Sequence, residues 1–190
     1  MKTERVYRQI LYERMEKGIK RFTQKALAQK CMMSIGNVNK ALKKLEDMNA
    51  IEKKIRGFRV IDPKKILLYW ASIRNINREV IYSTHFNEEI EEIEKLMPAD
   101  TMFTCYSGYK FLFKNIPSDY SEIWVYANEN EMKKRFPETK GKPNIFVLRF
   151  DEHLKTFKRI PLCQLFVDLW NMNTWYAKDF LNELEKRLKI

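Results

Sequence analysis

Apolar residues recur every three or four positions along the first part of the chain, which is the spacing of amphipathic helices. The pattern predicts a first helix over residues 3–15 and a second over residues 24–31, with Thr23 as the N-cap of the second. A longer amphipathic run, residues 35–49, follows Ser34, and its outer face is polar and basic. Two helices joined by so short a turn form a helix-turn-helix unit, whose second helix lies in the major groove of DNA.

A β-hairpin is predicted directly after this unit. Residues 51–55 and 58–61 favour strands, and Arg56-Gly57 between them allows a tight reversal of the chain. A hairpin that follows the second helix of a helix-turn-helix unit is typical of a wing. We therefore predict a winged helix-turn-helix domain over residues 1–61.

The rest of the chain predicts a connector helix and a second domain. Asp62-Pro63 ends the hairpin, and the helix that follows is so apolar on one side that it must be packed, which makes residues 62–78 a docked connector. Strands and helices then alternate. Strands are predicted over residues 80–82, 102–106, 123–127 and 145–150, and helices over residues 87–97, 109–114, 131–136 and, as a pair, 161–188. This order indicates an α/β or α+β domain over residues 79–190, with a mixed sheet of about four strands.

The charge of the chain is concentrated in its first third. Residues 1–65 hold 18 Lys or Arg and 7 Asp or Glu, a net charge of +11, whereas residues 66–190 hold 18 of each. A basic block fused to a neutral block is typical of a protein in which one domain meets a polyanion. Duplex nucleic acid is the polyanion we favour, because neutralising its phosphates releases condensed counterions. The alternative is a Lys-rich surface that keeps the protein soluble or serves a hot-growing organism.

Side-chain chemistry divides the candidate DNA-binding residues into two groups. Asn37 and Asn39 have amides that can bind adenine edges, and Lys40 can reach a guanine. The remaining cations suit phosphates and position the domain without selecting a sequence. They are Lys43, Lys44, Lys53, Lys54, Arg56 and Arg59, and the helix cap Ser34 completes the predicted DNA-binding set. The alternatives are an ordinary solvated helix face and a winged helix that mediates only protein contacts.

Composition argues against a membrane span and against a metal centre. No segment reaches the ~18 uncharged apolar residues that a membrane span needs, and the start of the sequence is charged throughout, with no apolar signal-peptide core. We therefore expect a cytoplasmic protein with no membrane partner. The cysteines and histidines are too scattered for a disulfide framework or zinc spacing, so we expect core thiols, no metal and no cofactor. These residues are Cys31, Cys105, Cys163, His85 and His153.

Two parts of the sequence resemble known families. Residues 22–61, with SIGNV at 34–38 and LKKLE at 42–46, resemble the winged-helix domains of prokaryotic transcription regulators. Four later segments carry a second resemblance, strongest in the last: DPKKILLYWASIRN, TMFTCYSGYKFL, EIWVYANE and RIPLCQLFVDLWN. With the first part they resemble the AbiEi-type antitoxins of type IV toxin-antitoxin systems. The resemblance implies a C-terminal domain with a nucleotidyltransferase-like fold, and an autorepressor that counteracts a nucleotidyltransferase toxin. In archaeal or orphan members the regulator can remain without the toxin.

The second domain departs from an active nucleotidyltransferase. Such an enzyme needs a Gly-Ser turn for the triphosphate and a spaced pair of carboxylates for two metal ions. This chain has Ser107-Gly108 in reversed order, and its nearby acids, Asp100, Asp119 and Glu122, are isolated from one another. We therefore expect no catalytic residues and no enzymatic activity.

A strand-to-helix turn in the second domain suggests a small-molecule pocket. Tyr106, Ser107, Tyr109 and Lys110 are candidates to line it for a nucleotide or another ligand, the alternative being a turn with core aromatics.

Taken together, the sequence predicts a sequence-specific transcriptional regulator whose partners are duplex DNA, a cognate toxin and a second copy in a homodimer on DNA. The alternatives are a nucleotidyltransferase-like enzyme acting on nucleotides or RNA, and a one-component regulator that senses a ligand.

Overall fold

The computed structural model describes residues 2–189 and has an α+β fold, which confirms the predicted class. Nine α-helices and two small sheets lie within this range. The chain divides into two compact units. The first runs to Arg74 and also includes Pro161–Val167, and the second comprises Asn75–Ile160 and Asp168–Lys189. In this division the helix predicted as a connector belongs to the first unit.

Four helices of the first unit begin where the sequence has a cap or a change to amphipathic spacing. They are α1 (Lys2–Leu11), α2 (Gln24–Lys30), α3 (Ile35–Asp47) and α4 (Pro63–Ile73), and α1 continues into a π-helical turn at Tyr12–Glu16. Thr23 and Ser34 accept hydrogen bonds from backbone amides in the first turns of α2 and α3, as their predicted capping role requires. Asp62 caps α4 in the same way, with 3.0 Å between its carboxylate and the amide of Lys65.

The core of the first unit is built from the apolar stripes of these helices. Each fully buried aliphatic or aromatic side chain stabilises the fold by about 1.5–3 kcal/mol. The largest contributors include Val6, Tyr7, Ile10, Leu27, Val38, Leu42, Leu45, Ile66, Leu67 and Trp70. An ion pair inside this core joins Arg74 and Glu4, whose side chains are 3% and 5% exposed. Burial by itself would raise the pKa of Glu4, but the Arg74 guanidinium and other nearby positive charges hold it below its ordinary value.

The sheet of the first unit has three antiparallel strands in the order β1-β3-β2. They are β1 (Arg21–Phe22), which the sequence did not predict, β2 (Ile51–Lys54) and β3 (Gly57–Val60). The reversal occurs at Ile55-Arg56, one residue earlier than predicted. Gly57 opens β3 with a φ of +115°, and a Cβ atom there would lie 2.1 Å from the carbonyl oxygen of Phe22. Both its backbone angle and the close approach of β1 therefore require glycine.

The sheet of the second unit is mixed and has four strands, as predicted. The strands are β4 (Val80–Thr84), β5 (Met102–Thr104), β6 (Ile123–Ala127) and β7 (Ile145–Arg149), in the order β4-β7-β6-β5. Only the central pair, β6 and β7, is parallel. The helices are α5 (Ile90–Leu96), α6 (Cys105–Phe113), α7 (Glu129–Arg135) and α9 (Ala177–Leu188), and α8 (Leu162–Trp170) begins among the residues assigned to the first unit.

The boundary between β5 and α6 differs from the prediction. The strand was expected to reach Tyr106, but it ends at Thr104, and Cys105 takes a φ of +49° as the first residue of the helix. Tyr106 is therefore helical. A short apolar run does not by itself distinguish a strand from a buried helix, and here the tertiary packing decides.

Both faces of this sheet are covered. On one face, residues of α5 and α7 pack against the strands, and this cluster includes Ile93, Met97, Val125, Met132, Phe136 and Val147. On the other face, the buried carboxylate of Asp168 accepts hydrogen bonds of 2.7 Å from Thr104 and from Tyr126. The three cysteines are buried and form no disulfide bond, as expected for core thiols.

Candidate nucleic-acid interface

Helix α3 separates its apolar and basic residues onto opposite sides. Val38, Ala41, Leu42 and Leu45 are buried, and the positions between them are exposed. The exposed side carries Asn39, Lys40, Lys43 and Lys44, whereas Asn37 is half-buried. The 3.6-residue period of the helix is the reason, because residues three or four apart share a face. The predicted polar and basic surface is therefore present.

A concavity of about 560 Å³ brings five of the predicted residues together. We call it the lysine groove. Its polar lining comes from three elements and consists of Gln24 of α2, Asn39, Lys40, Lys43 and Lys44 of α3, and Lys53 of β2. Gln24 was missed by the sequence argument, although its place directly after the cap of α2 puts it at the start of the helix-turn-helix unit.

Four of the predicted cations form ion pairs within the first unit. Their partners lie in α3 and β2, at N–O distances of 2.6–3.9 Å. The pairs are Lys43–Asp47, Lys53–Glu46, Lys54–Glu52 and Arg59–Glu52. All four cations are more than half exposed, and exposed pairs of this kind contribute little to stability. A phosphate can therefore replace these carboxylates at little cost.

Two of these ion pairs shift the pKa of one of their members, Lys43 in the first and Glu52 in the second. The pKa of Lys43 is raised because its ammonium donates a hydrogen bond to the Asp47 carboxylate. The pKa of Glu52 is lowered because it accepts a hydrogen bond from Lys54. The direction of this shift favours the charged form of Lys43, the form that attracts a phosphate.

Lys40, Lys44 and Arg56 make no ion pair with any residue that the structure describes. Arg56 lies at the tip of the hairpin beside Ile55, whose side chain is fully exposed. An exposed isoleucine at a basic hairpin tip is a candidate to contact a ligand. The sequence argument had treated Ile55 only as a strand residue. The signal was present in the run KKIR, where one apolar residue stands among three cations.

The remaining predicted residues lie outside the lysine groove. Ser34 caps helix α3, because its hydroxyl accepts a hydrogen bond of 3.3 Å from the backbone amide of Asn37. Arg59 lies in β3, opposite Glu52 of β2 and opposite Arg21 of β1. Lys54 ends β2, next to the tip.

The residues predicted to line a ligand pocket are mostly part of the core of the second unit. Tyr106, Ser107 and Tyr109 are buried. The Tyr106 hydroxyl lies 2.5 Å from that of Thr174, and the Tyr109 hydroxyl accepts a hydrogen bond of 3.0 Å from Arg187. These three side chains are therefore packed in the interior of the second unit.

Lys110, the fourth residue of that predicted set, is held by acidic residues of α5. Its ammonium donates a hydrogen bond of 2.9 Å to the Glu94 carboxylate. Partial burial by itself would lower the pKa of Lys110, but the hydrogen bond and the charge of Glu94 raise it.

The acids considered for metal binding do not form a cluster. Asp100 and Asp119 are exposed, and Glu122 accepts a hydrogen bond of 2.9 Å from the Trp124 indole. Burial raises the pKa of Glu122. Among the described residues no group of three or more His, Cys, Asp or Glu side chains is arranged to hold a metal ion.

Comparison of the chain with protein-family models, curated proteins and solved structures finds no match. Within residues 2–189 no helix has the length and apolar character needed to cross a membrane.

Proposed function

We propose that this protein is a sequence-specific DNA-binding transcriptional regulator and that its first unit is a winged helix-turn-helix domain. The observation that carries the proposal is the lysine groove, in which four lysines and two amide side chains from α2, α3 and β2 face one concavity. Lysine ammonium groups bind phosphates and carboxamides bind base edges, so the groove offers both kinds of contact that DNA recognition uses.

The order of elements supports the assignment of α3 as the recognition helix. Helices α2 and α3 are separated by only four residues, and the hairpin of β2 and β3 follows α3 directly. A 13-residue helix is about 20 Å long, which is enough to lie in a major groove with several side chains at base edges. In this arrangement the hairpin tip, with Arg56 and Ile55, reaches the adjacent backbone or minor groove.

Within the lysine groove, we assign base contacts to Asn39 and Lys40 and phosphate contacts to Lys43, Lys44 and Lys53. Asn39 and Lys40 lie in the first half of α3, the part of a recognition helix that contacts bases. Lys43 and Lys53 already bind carboxylates, and a phosphate oxygen presents a similar acceptor.

For the whole protein we propose a cytoplasmic autorepressor of the AbiEi antitoxin type. Its second unit is a nucleotidyltransferase-like domain without catalytic activity, and its partners are operator DNA, a cognate toxin and a second copy on the operator. The segments quoted from the sequence and the isolation of Asp100, Asp119 and Glu122 support this proposal. The enzyme alternative requires two metal ions held by spaced carboxylates.

The experiment that tests DNA binding uses the full chain and a pool of random duplexes. We expect repeated selection to enrich one sequence, with binding followed by fluorescence anisotropy. The double variant Lys40→Glu/Lys44→Glu should bind the selected duplex at least a hundredfold more weakly, because both cations have no ion-pair partner among the described residues and face the lysine groove.

The matched control is Lys134→Glu/Lys178→Glu, which changes the net charge equally at two exposed lysines of the second unit. We expect its DNA affinity to fall by less than threefold, since these positions lie outside the lysine groove. Equal losses in the two double variants would show that only net charge matters, and failure of the wild type to enrich any duplex would refute the proposal.

A further inference from the structure

The second unit contains a cavity of about 1010 Å³ at one edge of its sheet. All four strands contribute a residue at this edge: Ile81 of β4, Met102 of β5, Ala127 of β6 and Arg149 of β7. We call this space the phenylalanine cavity, after the four side chains that distinguish it, Phe103, Phe111, Phe150 and Phe157.

The place of the cavity in the sheet is that of a binding site. Ala127 and Arg149 are the last residues of β6 and β7, the only parallel pair in the sheet. In open sheets with parallel strands, ligands bind outside the carboxyl ends of those strands, because the loops that follow diverge there and leave a crevice. The antiparallel outer strands β4 and β5 begin at the same edge, as their pairing register requires.

The apolar part of the cavity is aromatic and accessible. The rings of Phe103 and Phe111 lie 4.6 Å apart and are tilted by 53°, and Phe111 is 40% exposed. Phe150 and Phe157 are only partly buried. Leaving aromatic rings in water forgoes the free energy of burial, so an unfilled surface of this kind suits a planar apolar ligand.

The polar part of the cavity is strongly basic. Five cations line it, against two acids, Asp100 and Glu129, and the second of these is already bound to Lys133 at 2.6 Å. Two of the cations have weak exposed pairs outside the cavity, Arg149 with Glu79 and Lys155 with Glu152. The other three form no ion pair with any described residue: Lys114, Lys158 and Arg159.

We propose that the phenylalanine cavity binds an organic anion, with a planar apolar group against the Phe side chains and a phosphate or similar group against Lys158 and Arg159. The volume is at the upper end of the range of about 300–1,000 Å³ that small-molecule sites occupy. The site lies on the side of α6 formed by Gly108, Phe111 and Leu112, away from the residues predicted from the sequence. It goes beyond the proposed DNA binding and does not depend on it.

Three probe compounds test the aromatic contact and the anion contact separately. Isothermal titration calorimetry of the full chain is carried out with 1-naphthyl phosphate, with 1-naphthol and with inorganic phosphate. We expect 1-naphthyl phosphate to bind at least tenfold more tightly than either of the others, because only this probe satisfies both the aromatic and the basic lining. If inorganic phosphate or 1-naphthol binds as tightly, or if no probe binds, the proposal is wrong.

Variants then locate the binding. Phe111→Asp and Lys158→Glu/Arg159→Glu change exposed side chains and should leave the fold intact, which circular dichroism and thermal unfolding verify. Each should weaken 1-naphthyl phosphate binding at least tenfold. The control Lys134→Glu/Lys178→Glu should leave it within twofold. Equal weakening in the control, or unchanged affinity in both cavity variants, would place the binding elsewhere and overturn the proposal.

Discussion

The two units both collect lysines and arginines, but over different surfaces. In the lysine groove the cations stand among amides, and the only apolar lining residue, Leu42, is 2% exposed. In the phenylalanine cavity the cations surround four partly accessible aromatic rings. A polyanion presents mainly phosphates to a protein, whereas a small organic anion must obtain much of its affinity from apolar contact. Positive charge alone therefore does not identify the ligand, but the residues between the charges distinguish the two cases.

The strongest way to break one surface and spare the other is Gly57→Ala. The added Cβ atom would lie 2.1 Å from the Phe22 carbonyl oxygen, and φ is +115°, so β1 and β3 cannot keep their spacing. We expect the first unit to lose at least ~3 kcal/mol of stability, from the clash and the backbone strain together, and DNA binding to be lost.

Thermal unfolding and calorimetry with 1-naphthyl phosphate measure this result. Gly36→Ala is the control, because Gly36 is in α3 and nothing but the Ser34 hydroxyl lies within 4.0 Å of its added Cβ. That variant should be neutral or slightly stabilising, by up to about 1 kcal/mol. A Gly57→Ala protein as stable as wild type would contradict the account of the hairpin.

Salt should separate the two surfaces next most clearly. If about four phosphates meet the lysine groove, DNA affinity should fall ~100-fold between 50 and 200 mM salt, because the slope is about −0.9 per phosphate contact. Binding of 1-naphthyl phosphate should fall less than tenfold over the same range, since a single small anion releases few counterions. Parallel slopes for the two ligands would remove the distinction between the surfaces.

A smaller effect is expected at the hairpin tip. Ile55→Ser should weaken DNA binding by three- to tenfold, about 0.7–1.4 kcal/mol, because an apolar side chain at this place can insert between base steps or pack on sugars. Ile61→Ser is the control, since Ile61 is likewise accessible, with half of its surface exposed, but follows β3 and lies away from the tip. Anisotropy with the selected duplex should show no change for it, and equal losses in both variants would point to a general loss of stability.

The smallest expected effect is a dependence of stability on pH. A buried acid in each unit contributes to it, and the two contributions have opposite signs. The pKa of Glu4 is lowered in the folded first unit, so its contribution to stability is present above the ordinary carboxyl pKa and is lost as pH falls through the folded pKa. Burial raises the pKa of Glu122, so its contribution is lost as pH rises above the ordinary value.

Glu122→Gln should therefore slightly stabilise the protein at pH 7.5 and have a smaller effect near pH 4, because protonation of the native residue removes the cost of burying its charge. Gln keeps the acceptor for the Trp124 indole, so the hydrogen bond is retained. Urea unfolding at the two pH values measures the difference. A variant that is destabilised, or equally affected at both pH values, would contradict the sign of the shift.

Local signals explain why the helices of the first unit could be predicted from the sequence. Thr23 and Ser34 each accept a hydrogen bond from the backbone amide three residues further along the chain. The apolar spacing of α3 is likewise a property of one short segment. The hairpin was predicted for the same reason, yet its turn was placed one residue late. The observed position of the turn depends on β1, a two-residue strand that has no recognisable sequence pattern. This strand approaches Gly57 only in the folded protein.

The phenylalanine cavity could not be predicted, because its residues come from segments between positions 81 and 160 that meet only when the sheet forms. The sequence argument named mostly buried residues of helix α6, whereas the cavity is lined by Gly108, Phe111 and Leu112 of the same helix. Helix α6 begins at Cys105, four residues before the predicted start, and its buried and exposed sides are decided by packing against residues distant in the sequence.

The pairing of Arg21 with Arg59 across β1 and β3 carries a further consequence. Two like charges directly opposite each other repel, and the Glu52 carboxylate, 3.9 Å from Arg59, offsets part of this repulsion. A bound polyanion relieves that repulsion, and the relief adds to the ordinary mass-action coupling between binding and folding. If the proposed DNA complex places a phosphate beside this pair, part of its affinity comes from ending a repulsion between β1 and β3.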